Sequence, residues 1–225
     1  MDLLVISGGR HPYEETTPIL EEFLARAGHQ VDVLDDASVL VSDKMRGYDA
    51  LVFNTRREAE LTLASDEQVA LTRFIGGGKG FVCLHISCCR PEGWHEYHDV
   101  TGGGWITGSS MHPPYGQFMV NVKNPMHPCN RGITDFVTND ELYMGLANKP
   151  GNDVFLTAEA EDGTHVWGGQ PTHMPGGTFS LAWTRTYGNG KVFNTTLGHN
   201  GLSFETPQFQ QLVLNGVEWV TSQDE

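Results

Sequence analysis

The alternation of short apolar runs with amphipathic stretches limits most strongly what this chain can fold into. Residues 3–6 are apolar and end at Ser7-Gly8-Gly9, the pattern of a buried strand entering a loop. A helix is expected next, capped by Thr16 or Thr17, with Pro18 near its first position. Ile19, Leu20, Phe23, Leu24 and Ala27 repeat along it at helical spacing, and Gly28 ends it. Residues 30–34 and 50–54 read as the next strands. A second helix opens at Ser65, runs through Val69, Leu71, Phe74 and Ile75, and stops at Gly76-Gly77-Gly78. Residues 80–84 form a fourth strand. Strands alternating with helices make βαβ units, and hence a parallel sheet covered on both faces. Residues 117–122, 153–158, 179–183 and 191–195 read as further strands, and a closing helix runs from about Thr206 to Val220. No repeat or linker breaks the pattern, so one α/β domain over residues 1–225 is expected.

Charge narrows the partners. Lys plus Arg number 14 against 28 Asp plus Glu, a formal net charge of −14. Such a chain repels phosphate backbones and anionic lipid, so neither nucleic acid nor membrane is expected to bind it. Hydrophobic residues make up 39% and charged residues 19%, which excludes a disordered chain. No apolar stretch reaches the roughly 18 residues of a membrane span. The first residues, MDLLVIS, lack a basic region before the apolar run, so a cytoplasmic protein starting in its first strand is expected. Cys83, Cys88, Cys89 and Cys129 are expected as free thiols. Trp219 and its apolar neighbours on the closing helix suit either the core or the surface of a homo-oligomer.

Histidine directs the search for chemistry, with 10 residues against 14 Lys plus Arg. Ligands of open parallel sheets bind outside the carboxyl ends of the strands. Those ends deliver Arg10-His11, Arg56-Arg57, His85 and His199. The middle of the chain adds His112 and the run Asp140-Glu141-Leu142-Tyr143. Plainer roles stand beside these: Glu141 and Tyr143 also suit a turn and a core ring, Gly8-Gly9 a tight turn, and Arg56-Arg57 a solvated loop. His29 and His165 read as surface residues, and His95 and His98 as members of a long loop spanning residues 85–115. No G-x-G-x-x-G, G-x-x-x-x-G-K-[ST], G-x-S-x-G or C-x-x-C occurs. This removes the dinucleotide fingerprint, the P-loop, the hydrolase elbow and the thioredoxin-type motif.

The ordered segments Ser7-Gly8-Gly9-Arg10-His11, Gly80-Phe81-Val82-Cys83-Leu84-His85, Thr101-Gly102-Gly103-Gly104-Trp105, Met111-His112-Pro113, His127-Pro128, Asp140-Glu141-Leu142-Tyr143, Leu181-Ala182-Trp183-Thr184-Arg185, Tyr187-Gly188-Asn189-Gly190-Lys191-Val192-Phe193 and Leu197-Gly198-His199 resemble the trehalose-utilisation (ThuA-like) family. That family is a branch of the class I glutamine amidotransferase-like superfamily, and the likeness spans essentially the whole chain. It implies a flavodoxin-like three-layer α/β/α sandwich with a mostly parallel sheet. Amidotransferases of the superfamily carry a nucleophilic Cys on the turn where this chain has His85, and a Pro-Glu where Asn200-Gly201 follow His199. Two triad members are missing, so the resemblance implies that glutamine hydrolysis is lost.

By the same resemblance the substrate is a sugar, trehalose or a related glycoside, or a keto derivative supplied by a sugar dehydrogenase of the same pathway. Two readings of the residues stay open. In one, His85, His199 and Glu141 are general acids and bases. In the other, His11, His85, His112, Glu141 and His199 bind a divalent transition metal such as zinc. Arg10, His11, His112, Tyr143, Trp183 and Arg185 are the expected substrate-binding residues. Competing functions are a non-catalytic sugar sensor, a thiol enzyme using Cys88 or Cys89, and an active amidotransferase. Ligand binding without turnover, inactivation by a thiol reagent, and ammonia release from glutamine would mark them in turn.

Overall fold

The computed structural model describes residues 1–223. Its first half runs β1 (Asp2–Gly8), α1 (Tyr13–Arg26), β2 (Gln30–Leu34), β3 (Ala50–Thr55), α2 (Ser65–Gly76), β4 (Gly80–Leu84), α3 (Tyr97–Thr101), β5 (Gly103–Gly104) and β6 (Gly116–Val122). The second half runs β7 (Phe136–Asp140), β8 (Ala147–Asn148), β9 (Asp153–Ala160), β10 (Gly163–Trp167), β11 (Gln170–Met174), β12 (Gly177–Tyr187), β13 (Gly190–Thr195), α4 (Gly201–Glu205) and α5 (Pro207–Thr221).

Nine strands form one sheet in the order β2-β1-β3-β4-β13-β12-β9-β6-β7. From β2 to β13 every pairing is parallel. Beyond β13 every pairing is antiparallel. Only β12 and β6 oppose β1 in direction, so the remaining strands end at one shared edge. The expected α/β sandwich with a mostly parallel sheet is the fold, extended by an antiparallel wing.

Alternation along β1 explains the layers. Leu3 and Val5 face one core with Leu20 and Phe23 of α1 and Phe209, Leu212 and Val213 of α5. Leu4 and Ile6 face a second core with Leu71 and Ile75 of α2 and Tyr97 of α3. Side chains alternate across a strand, so one apolar run feeds both faces. Strands β3 and β4 are buried throughout, as parallel strands covered on both sides require.

Helix α1 departs from expectation. It starts at Tyr13, and Pro18 is its sixth residue, inside the helix. Thr16 and Thr17 do not cap it; their hydroxyls dock it on the sheet. The buried Asn54 side chain donates to Thr16 Oγ1 at 3.0 Å and Thr17 Oγ1 at 3.2 Å. Ser7 Oγ and Thr17 Oγ1 are 2.6 Å apart. A buried amide needs such partners, and this need overrides the capping preference of threonine.

Residues 85–115 are more ordered than their composition suggests. They contain a 3₁₀ turn at His85–Cys88 and the α3 helix, with Tyr97, His98, Val100 and Thr101 buried. The β10–β11 hairpin lies outside the nine-stranded sheet. Its turn, Gly168-Gly169, has φ of 57° and 80°, the left-handed pair of a tight two-residue hairpin.

His127 ties the segment before β7 to the sheet. Its ring stacks on Phe155 with centroids 4.1 Å apart. Nδ1 accepts from Cys129 N at 3.1 Å, so Nε2 carries the proton and donates to Thr184 Oγ1 at 3.0 Å. Burial holds this imidazole below its ordinary pKa, against the opposing pull of Asp153. The unfolded chain therefore binds the proton at higher pH than the folded one. The linked stability is complete above the unfolded value of about 6.5 and drains as pH falls below it. Thermal melts from pH 7.5 to 5 should show a shallower loss of Tm in His127→Asn than in the parent chain. Parallel slopes would remove His127 from the account.

Candidate active site at the strand ends

His11 follows β1, His85 follows β4, Glu141 follows β7 and His199 follows β13. One candidate ligand atom from each lies within 4.8 Å of the other three. The rings of His11, His85 and His199 stand with centroids 5.2 to 5.4 Å apart in edge-on arrangement.

His85 is 2% exposed and has a left-handed backbone, φ 51°. That conformation costs a residue with a side chain of the order of 1–3 kcal/mol and persists only where its surroundings hold it. Here Nδ1 donates to Thr196 O at 2.7 Å, and Tyr143 OH stands 2.6 Å from Nε2. A carbonyl can only accept, so a neutral His85 carries its proton on Nδ1 and receives the Tyr143 proton at Nε2. His11 Nδ1 makes the matching contact with Arg10 O. His112 Nδ1 does the same with Pro113 O at 2.7 Å.

Glu141 faces three imidazoles. Its Oε2 is 3.1 Å from His199 Nδ1 and 3.5 Å from His85 Nε2, and its Oε1 is 3.3 Å from His112 Nε2. The His199 contact is close, yet the ring N–H direction misses the carboxylate, so Nδ1 has no aligned hydrogen bond. Neighbouring Asp140 is 1% exposed. It accepts from Gly198 N at 2.7 Å, His199 N at 3.1 Å and Glu141 N at 2.9 Å. Tyr115 flanks the His199 ring at 5.3 Å and donates to Asn200 Oδ1 and Asn139 O.

The site's electrostatics follow from this packing. Burial alone would raise the Glu141 carboxyl, but the imidazoles of His199, His85 and His112 hold it well below the usual carboxylate range. Burial, reinforced by His85 and His199, pushes His11 down to about 3. Burial also lowers His112, with Glu141 opposing. His199 moves up: burial opposes this, but the close contact of its ring with the Glu141 carboxylate, together with the charge of Glu141 and Asp140, outweighs it. Burial raises Asp140, although three backbone N–H groups favour its charged form.

Of the expected site residues, His11, His85, Glu141 and His199 meet at the centre. Tyr143 touches it, and His112 stands outside the four, against the other oxygen of Glu141. Arg10 is exposed beside His11. Trp183 and Arg185 are not brought to the cluster. Trp183 is 1% exposed and its indole N–H donates to Thr101 O at 2.7 Å, anchoring the loop after α3. Arg185 donates to Asn152 Oδ1 at 3.2 Å. Both lie on β12, one of the two strands running against the rest. His95 and His173 are engaged elsewhere, with Arg90 and Asp162.

Sequence reasoning named Asp140 and Trp105 within longer segments without giving either a role, and did not reach Tyr115 or Trp167. Trp105 packs on Tyr143 with centroids 4.6 Å apart, and Trp167 packs edge-on against His112 at 4.6 Å. The glycine run before Trp105 was the available signal for the first; nothing in the sequence marks the second. Cys83, Cys88 and Cys89 are buried, and burial pushes each thiol up, Cys88 to about 12. Such thiols are poor nucleophiles. A groove of about 840 Å³ between the turn at Leu40–Arg46 and α2 shares no residue with the cluster.

The family model for trehalose utilisation, ThuA, matches residues 2–220. The chain belongs to this family. A search among curated proteins gives no match. Solved structures share the fold. A ThuA-like protein from Parabacteroides merdae is 20% identical with a TM-score of 0.77, covering 100% of this chain and 92% of the other. A ThuA-like protein from Bacteroides uniformis is 17% identical with a TM-score of 0.74, covering 100% and 92%. A cytoplasmic protein from Salmonella typhimurium is 14% identical with a TM-score of 0.62, covering 97% and 98%. No helix among the described residues is long and apolar enough to cross a membrane.

Asp140→Asn places an amide N–H₂ among backbone donors. It should destabilise the fold by about 1–3 kcal/mol and loosen the His199 turn, read by denaturant melts and by amide exchange at Gly198 and His199. Unchanged stability and exchange would show that the three hydrogen bonds do not hold the turn.

Proposed function

We propose that this chain is a carbohydrate-utilisation enzyme that transforms a trehalose-like glycoside carrying a ketone. The observation that carries this reading is the convergence of His11, His85, Glu141 and His199 at the strand ends, walled by the rings of Tyr143 and Trp105. Membership of the trehalose-utilisation family supplies the substrate class. A cytoplasmic dehydrogenase is the class of enzyme that would supply such a substrate, because oxidising one hydroxyl makes the neighbouring C–H acidic.

The geometry supports a proton-transfer step. A sugar carbonyl oxygen at the centre of the cluster comes within reach of Tyr143 OH, a donor at neutral pH. The adjacent C–H bond then breaks, its electron pair moves onto the carbonyl carbon–oxygen unit, and its proton passes to the Glu141–His112 pair. Positioned acids and bases of this kind contribute about 10²–10⁴-fold to rate. His85 and His199 stand against the carboxylate, 3.5 and 3.1 Å from its Oε2, and close the site. Trp167, half-buried against His112 at the tip of the β10–β11 hairpin, supplies an aromatic face for the second sugar ring.

Purified chain would be mixed with trehalose and with its keto derivative, and products followed by NMR. Turnover of the keto sugar alone is expected, falling at least about 100-fold in His85→Ala and in His199→Ala. Parent-like turnover in both variants would overturn the assignment, and tight binding without turnover would make the chain a sensor.

Trp167→Ala should raise KM for the disaccharide about two- to tenfold, the scale of one aromatic contact. Its kcat and its KM for a single-ring keto sugar should hold. An equal rise for both substrates would remove Trp167 as a second-ring platform.

A further inference from the structure

The cluster holds more acceptors than donors. His85 and His11 commit their Nδ1 protons to main-chain carbonyls of Thr196 and Arg10, so each neutral ring keeps a lone pair on Nε2. His112 commits Nδ1 to Pro113 O in the same way. Glu141, as a carboxylate, only accepts. The Nε2 atoms of His85 and His112 stand 3.5 and 3.3 Å from its oxygens without a proton of their own to offer it, and that of His85 accepts from Tyr143 OH. His199 Nδ1 is 3.1 Å from Oε2 without an aligned hydrogen bond, although the atom is shielded from solvent. Tyr143 OH offers one proton to the cluster, and in this structure His85 Nε2 receives it.

An array of this kind calls for a cation at its centre. A proton bridges one pair at a time. A metal ion satisfies several lone pairs together. Tetrahedral zinc, with bonds of about 2.0–2.2 Å, sets its ligand atoms about 3.3–3.6 Å apart. The two closest contacts to Glu141 Oε2, at 3.1 and 3.5 Å, lie near that spacing, and all four ligand atoms stay within 4.8 Å of one another.

We propose that His11, His85, Glu141 and His199 bind one divalent transition-metal ion of the zinc class. Three imidazoles and one carboxylate favour zinc and its first-row neighbours over calcium or magnesium, which take oxygen ligands. The carbonyls behind His11 and His85 form the outer shell that fixes which nitrogen faces the ion. Asp140 fixes the backbone of His199 and of Glu141. His112 stays outside the ligand set, free to exchange a proton through Glu141 Oε1. The metal site deepens the proposed sugar chemistry, since a bound ion polarises a carbonyl, but ion binding is read without substrate.

The test uses the full chain without a histidine tag. It is loaded separately with Zn²⁺ and Co²⁺, dialysed, and measured by elemental analysis and by the visible spectrum of the cobalt form. About one ion per chain is expected, with cobalt bands of low-symmetry nitrogen–oxygen coordination. Affinity should fall more than about tenfold in Glu141→Gln and in His199→Ala. It should be unchanged in His173→Ala, which alters an exposed histidine remote from the cluster. Glu141→Gln preserves side-chain shape and so keeps the test valid if His85→Ala misfolds. Less than stoichiometric metal in the parent chain, retention in both ligand variants, or equal loss in His173→Ala would overturn the site. Stoichiometric metal without keto-sugar turnover would overturn the proposed function alone. Full turnover by metal-free chain would overturn a catalytic role for the ion while leaving that function standing.

Discussion

A buried carboxylate joins the two halves of this protein. Asp140, at the end of β7, receives the backbone N–H groups of Gly198 and His199 beyond β13, and that of Glu141 beside it. In the sheet, β12, β9 and β6 lie between β13 and β7. The gap closes because β6 pairs with β9 only at Asn121 and Val122, while residues 116–120 pair with β7 alone. The hairpin is thereby free to swing back over the sheet edge. A carboxylate so deeply buried is tolerable only when donors surround it, and here backbone donors do so. The same three bonds set the distance from Glu141 to His199.

The candidate site therefore forms at a seam. The parallel half supplies His11, His85 and His199 from the ends of β1, β4 and β13, in a crevice that any sheet of this kind offers. The antiparallel wing supplies Glu141, Tyr143 and, through the β10–β11 arm, Trp167. Neither half carries the full set. The left-handed turn at His85 aims an imidazole into the seam at a cost in backbone energy. The Thr196 carbonyl then fixes its tautomer, so strain and hydrogen bonding act on the same ring.

Much of the parallel half was legible in the sequence. Strands β1, β3 and β4 are short runs of mostly apolar residues, and burial on both faces leaves that mark. The strand-end histidines were legible as candidates because topology alone places them at one edge. The wing was harder. FVTND, GTHVW and QPTHM are rich in polar residues and lack the apolar run of a strand covered on both faces. Trp183 and Arg185 could not be sorted between pocket and interior, since that depends on strand direction and face rather than on residue type. Thr16 and Thr17 read as caps because the buried amide that claims them, Asn54, lies 37 or more residues away. The role of Asp140 depends on backbone donors brought near by folding, which no spacing in the sequence records.

The β10–β11 arm shares no ladder with the main sheet, and its Trp167 ring packs against His112 at the edge of the cluster. Its length and tip can vary without shifting the register of any core strand. Breadth of substrate and identity of reaction are thus carried by separable parts of one chain: the scaffold keeps its chemistry while the arm is rebuilt to admit a larger, smaller or differently linked molecule.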